Sequence, residues 1–300
     1  MIKYIGSKRT LLPAILRAAS ALCPPGGVVA DLFSGTARVG HAGKGAGRRG
    51  SANDHTAYAH ALATCYVQAD AERWVEPARR VLEELSRLPG RPGYFTATFC
   101  EGARYLQPHN GARVDAIRDA IEAMAPDPEL KAVLLVALME AADRVDSTAG
   151  LQMAYMKRWA KRSFNNLELR LPALLPRPVA GACLAIRGDA QTVAPGIEAD
   201  LVYLDPPYNQ HSYLGNYHVW ETLVRWDAPE AYGIARKRSD VRERKSAFNS
   251  RRGILPALEA VLNGLRCRTL LVSFSDEGFF PRETMEAMLR RSGHVSVAAL

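Results

Sequence analysis

Strand-forming runs sit towards the two ends of this 300-residue chain and skip its middle, and no other feature constrains the fold as much. The first run, 28–33, follows the break Pro24-Pro25-Gly26-Gly27 and holds β-formers, so it reads as a buried strand. Comparable runs return only at 182–187, 200–204 and 269–274. Helical periodicity fills the interval: 56–88, opened by a cap at Asn53 or Asp54, then 112–124 and 128–145. Further helices are expected at 11–21, 256–265 and 282–291. This order predicts an α/β sheet domain, 1–65 joined with 178–300, split by a mainly helical insertion over 66–177. Two stretches fit it poorly. Four glycines between Gly40 and Gly47 predict a weak helix, each interior glycine costing about 1 kcal/mol relative to alanine. The strand expected at 49–52 is barely apolar, and the run at 295–300 reads as a last strand, either an edge or the point of a truncation.

Composition narrows the function. At 48% hydrophobic residues the chain can bury a sizeable core, yet its longest apolar run, 132–139, is too short to span a bilayer. Lys8-Arg9 followed by an apolar stretch imitates a signal peptide until Arg17 interrupts it. Five scattered cysteines without a C-x-x-C spacing argue against a disulfide framework or a zinc ribbon and fit the cytoplasm. The formal charge of +8 favours a polyanionic partner, nucleic acid first.

The most informative residues are Asp205-Pro206-Pro207-Tyr208, directly after the strand at 200–204. In an open α/β sheet, ligands bind beyond the carboxyl ends of strands. Two prolines stiffen the turn, leaving the Asp205 carboxylate and the Pro206 carbonyl as neighbouring acceptors. Such a pair suits an amine with two N–H donors, as on a nucleobase, and Tyr208 offers a face for a flipped base. A second constellation, Asp31-Leu32-Phe33-Ser34-Gly35-Thr36, also ends a strand, and its glycine admits close approach of a ligand. Asp54 follows about twenty residues on, where a carboxylate commonly meets ribose hydroxyls. Neither G-x-G-x-x-G nor a P-loop is present, which points to an adenosine-containing ligand other than NAD or ATP. A third motif is Tyr4-Ile5-Gly6-Ser7-Lys8.

Together, in this order, these motifs resemble the adenine-specific DNA methyltransferases of the Dam-like, alpha or D12 class. That resemblance implies a Rossmann-like sheet using S-adenosyl-L-methionine, with no metal. It implies that Tyr4, Gly6, Lys8, Asp31, Phe33, Ser34, Gly35, Asp54, Asp189, Ala190 and Asp205 form the cofactor site. Lys8 would meet the methionine carboxylate, Asp54 the ribose, and Asp189 of Gly188-Asp189-Ala190 the adenine amine. Asp205, Pro206, Pro207 and Tyr208 would be catalytic. Duplex DNA would be the partner, with a companion restriction endonuclease beside it in a restriction-modification system.

Two basic clusters could grip that DNA. In 155–170, Lys157, Arg158, Lys161 and Arg162 are interleaved with aromatics, and Gln152 precedes them with an amide suited to an adenine edge. The stretch 226–252 carries Arg242 and Arg244 among eight cations, and its patternless polarity predicts a mobile loop that holds phosphates. Other functions compatible with these residues are an RNA or cytosine-N4 methyltransferase, or an inactive DNA-binding module of the same fold.

Overall fold

The computed structural model describes residues 1–274 and 278–298. Helix α1 (Leu12–Leu22) leads into β1 (Val28–Asp31), α2 (Arg38–Gly45), β2 (Arg49–Asp54) and α3 (Ala57–Ala63). Next come α4 (Ala71–Ser86), α5 (Pro108–Met124) and α6 (Pro128–Arg144). The chain returns through β3 (Leu184–Arg187), the short α7 (Ala190–Val193), β4 (Glu198–Leu204), α8 (Tyr213–Asn216) and α9 (His218–Arg225). A small ribbon, β5 (Ala231–Tyr232) with β6 (Lys237–Arg238), precedes α10 (Ile254–Gly264), β7 (Arg266–Val272) and α11 (Arg282–Arg290).

Five strands make one parallel sheet in the order β3-β2-β1-β4-β7. A parallel sheet is covered on both faces, and β4 shows it: Leu201, Val202, Tyr203 and Leu204 are all buried. The chain builds outward from β1 through β2 to β3, then crosses back to lay β4 on the other side of β1. This reversal leaves a crevice beyond the carboxyl ends of β1 and β4, the place where open α/β sheets bind ligands. Asp31 lies opposite Tyr203 in that register, which puts Asp31 and Asp205 at its mouth.

The glycine-rich stretch forms a helix after all, because α2 must lie close to its neighbours. A Cβ at Gly40 would come within 2.8 Å of Val67. The barely apolar β2 is held by pairing with both β1 and β3, with Ala52 and Asn53 buried between them. Helices α4 to α6 share a single apolar core with α3, α9 and Ile2, so the helical segment packs on the sheet domain through its own interior residues.

Two expectations need correction. Residues 295–298 form no strand, and 299–300 lie outside the described residues. The basic stretch 226–252 is structured, containing the ribbon and two 3-10 turns. Some of its charges are used internally. Arg238, 1% exposed, forks onto Asp227 at 2.7 Å and 2.7 Å and also binds Asp240 at 3.0 Å. The planar guanidinium suits that bidentate grip, and a buried cation without such partners would be costly. Among the described residues no helix is long and apolar enough to cross a membrane.

Candidate active site

All three motifs meet in one pocket at the β1–β4 reversal. Its lining includes Tyr4, Gly6, Ser7 and Lys8 from the N-terminal segment, then Asp31, Phe33, Ser34 and Gly35 from the turn after β1. Asp54 from β2 and Asp205 and Pro207 after β4 join them. Thr36, the last residue of the second motif, lines it as well, as do Arg38, Val39, His55, Tyr203 and Tyr213 from outside the motifs.

Local chemistry explains the arrangement. Gly35 has φ +50, and a Cβ there would press within 3.3 Å of the Tyr4 ring. The Gly35 N–H donates to Asp54 Oδ2 at 3.1 Å, which ties the turn to the end of β2. Asp54 Oδ1 accepts from the backbone N–H of Thr56 at 2.9 Å, so this carboxylate also starts α3. Asn53 donates to the carbonyls of Leu32 and Gly188, which links the ends of β1 and β3. Tyr4 is sandwiched between Tyr213 and Tyr217, with centroids 5.2 Å and 4.5 Å away, forming a stack of three rings beside the turn.

The electrostatics are acidic at the centre. Asp31 is 2% exposed; its Oδ1 accepts from the Phe33 N–H at 3.3 Å, and its Oδ2 has no partner. Burial, and then the neighbouring Asp205 charge, pushes its carboxyl up to about 8. Burial also raises Asp205, against the pull of Lys8, whose Nζ lies 2.9 Å from Asp205 Oδ2. Buried polar atoms normally find partners. Eight side-chain atoms among the described residues do not, and five of them belong to this pocket: Ser7 Oγ, Asp31 Oδ2, Ser34 Oγ, Arg38 Nε and Tyr203 OH. A polar ligand is what such a concentration fits.

Other expected residues lie elsewhere. Pro206 is buried, and no backbone N–H among the described residues donates to its carbonyl. Tyr208 stands at the flank, edge-on to Phe274 with centroids 6.3 Å apart. Asp189 is exposed and caps α7, accepting from the Gln191 N–H at 2.9 Å, while Ala190 is buried behind it. Among the basic residues, Lys157, Arg158, Lys161 and Arg242 are exposed.

Three others correct the sequence reading. Gln152 is 3% exposed, and its Oε1 accepts from the Val219 N–H at 2.9 Å, so its amide braces α9 instead of facing solvent. Arg162 is bound to Asp146 at 2.7 Å, and Arg244 to Glu221 at 2.9 Å. Glu221 in turn accepts from the Ala57 and Tyr58 N–H groups, capping α3 from a distant part of the chain. Spacing alone carries no sign of these long-range partners.

A parallel sheet with a carboxylate-rich pocket at its reversal has the layout of an α/β ligand-binding domain. Comparison with known proteins supplies the rest. The description "D12 class N6 adenine-specific DNA methyltransferase" matches residues 4–259, and the chain belongs to that family. It is 29% identical over 275 residues to the type II methyltransferase M.NlaIII of Neisseria lactamica, covering 89% of this chain and 80% of that protein. The modification methylase StsI of Streptococcus sanguinis is 28% identical over 311 residues, covering 96% of this chain and 46% of the relative. For the type II methyltransferase M.FokI of Planomicrobium okeanokoites the identity is 28%, with coverages of 97% and 47%. The chain thus spans about half the length of these last two relatives. No solved structure matches it.

The state of Asp31 has a measurable consequence. Its carboxyl titrates near 8 when folded, but near 4 in an unfolded chain. Between those values the native state holds the extra proton, so this group's contribution to stability falls as pH rises. Asp31→Asn removes the titration. Relative to wild type, the variant should gain roughly 2–3 kcal/mol between pH 5.5 and pH 8 in urea unfolding. An unchanged difference across that range would show that Asp31 is an ordinary carboxylate.

Proposed function

We propose that the chain transfers the methyl group of S-adenosyl-L-methionine to the exocyclic N6 amine of an adenine flipped out of duplex DNA. One observation carries this: Asp31, Gly35, Asp54 and Asp205 converge on a single pocket rich in unsatisfied polar atoms. Those groups fit the cofactor. The unpartnered Asp31 oxygen suits an ammonium group, Gly35 allows close approach, and Asp54 Oδ2 keeps a lone pair for a ribose hydroxyl. Asp189 and Ala190 are proposed adenine contacts from their position alone, after β3 on the same edge of the sheet.

When bound, the cofactor supplies a positively activated methyl group. The chain's part is positioning and electrostatics. An aromatic amine is a poor nucleophile because its lone pair is delocalised into the ring. Asp205 Oδ and the Pro206 carbonyl accept its two hydrogens, drawing the nitrogen towards tetrahedral geometry and freeing the lone pair. The Lys8 ammonium beside Asp205 favours the ionised, accepting form. Pro207 stiffens the turn, and Tyr208 offers a ring to the extruded base.

Duplex DNA would be read by the helical insertion, 66–177, with the catalytic parts being 1–65 and 178–300. Lys157, Arg158 and Lys161 are exposed there and are the candidates for meeting it. The names of the relatives support a place in restriction-modification with a companion endonuclease, and a cytoplasmic setting is part of the same proposal.

The direct test uses methyl-labelled cofactor and duplex DNA, followed by digestion to nucleosides. Label should appear in N6-methyladenine, and Asp205→Ala should lower it at least a hundredfold. Label in cytosine, label in RNA alone, or none at all would refute the proposal. The basic stretch 226–252 divides in the same way. Arg242→Gln should lower the salt slope of DNA binding by about one counterion and weaken all sequences alike. Arg244→Gln should instead lower thermal stability, because it leaves Glu221 buried without its cation. Equal salt slopes for wild type and Arg242→Gln would take Arg242 off the phosphates.

A further inference from the structure

We infer that Arg38, and not Lys8, receives the carboxylate at the methionine end of the cofactor, an inference that rests on the functional proposal above. The pocket lining holds two strong cations, Lys8 and Arg38. Lys8 is committed: its ammonium lies 2.9 Å from Asp205 Oδ2, and both side chains are largely buried. Pulling it onto a ligand carboxylate would strip the catalytic acceptor of its partner.

Arg38 has no such commitment. Its buried Nε finds no hydrogen-bond partner, and among the described residues no carboxylate lies within 4.0 Å of its guanidinium. The nearby acid, Glu140, is already bound by the terminal ammonium of Met1 and by the Tyr66 hydroxyl. Arg9 adds a like charge close by, and burial together with that charge lowers the Arg38 pKa. A half-buried guanidinium in this setting gains from an anion, which it can bind in bidentate fashion.

Placement agrees. Arg38 is the first residue of α2, so the open N–H groups of that helix end add to the positive potential. Asp31, the acid with an unanswered oxygen, ends β1 seven residues earlier, on the other side of the Gly35 turn. The methionine end carries an ammonium and a carboxylate on one carbon. An acid and a base flanking one glycine turn match those two charges.

The test compares two probes by calorimetry: S-adenosylhomocysteine, and its decarboxylated counterpart, which keeps the ammonium. Wild type should prefer the carboxylate-bearing probe. Arg38→Gln should bind S-adenosylhomocysteine about tenfold to a hundredfold more weakly and the decarboxylated probe unchanged. Lys8→Gln should keep the wild-type preference between probes. If Arg38→Gln loses both probes, Arg38→Lys decides: a selective loss for the carboxylate-bearing probe supports the inference, and an equal loss of both overturns it. Selective loss in Lys8→Gln, or unchanged discrimination in Arg38→Gln, overturns it too. Failure of the wild type to bind either probe would sink the functional proposal itself.

Discussion

A carboxylate buried at the end of β1, with one oxygen unanswered, sets the terms for its surroundings. Asp31 is kept from water by the parallel sheet, and the charge of Asp205 raises it further. Burial raises Asp205 in turn, and Lys8, which arrives from the N-terminal segment, pulls against that rise. The topology therefore does chemical work: laying β4 against β1 brings the two acids together, and only a third element can supply the cation. The residual imbalance is the property a cationic, polar ligand would use.

The same economy of charge orders the rest of the molecule. Arg238, Arg225 and Arg244 converge on Asp227, Asp240 and Glu221, which turns a polar stretch into a defined structure. Glu221 then reaches across to the N-terminus of α3, immediately after Asp54. Lys3 and Arg162 both bind Asp146, so the segment that carries Tyr4 and Lys8 is anchored to the helical region. Many cations counted in the net charge are thus consumed inside the fold. Exposed residues such as Lys157, Arg158, Lys161 and Arg242 remain for a polyanion.

Much of this was legible in the sequence. Strand runs bounded by Pro and Gly, and helices with a 3.6 period, gave elements close to the observed ones because both patterns follow from burial of one face. The pocket was legible because its residues follow strand ends directly: Asp31 to Gly35 after β1, Asp205 after β4. What spacing could not show was who pairs with whom. Gln152 looked like a reader of bases until its amide was seen bracing Val219. Arg244 looked like a phosphate contact, yet its partner lies 23 residues earlier on a buried face. Arg38 carried no motif, and its interest comes from the partners it lacks. The glycines of α2 looked like a cost, and at Gly40 the close approach of Val67 accounts for one of them.

The central claim is that Asp31 waits, protonated, for a cationic ligand at the β1–β4 reversal. Calorimetric titration of S-adenosylhomocysteine at pH 7, repeated in buffers of different ionisation enthalpy, counts the protons exchanged on binding. Ionisation of Asp31 against the ligand ammonium should release most of one proton in the wild type and none in Asp31→Asn. Binding without buffer dependence in the wild type would contradict the account.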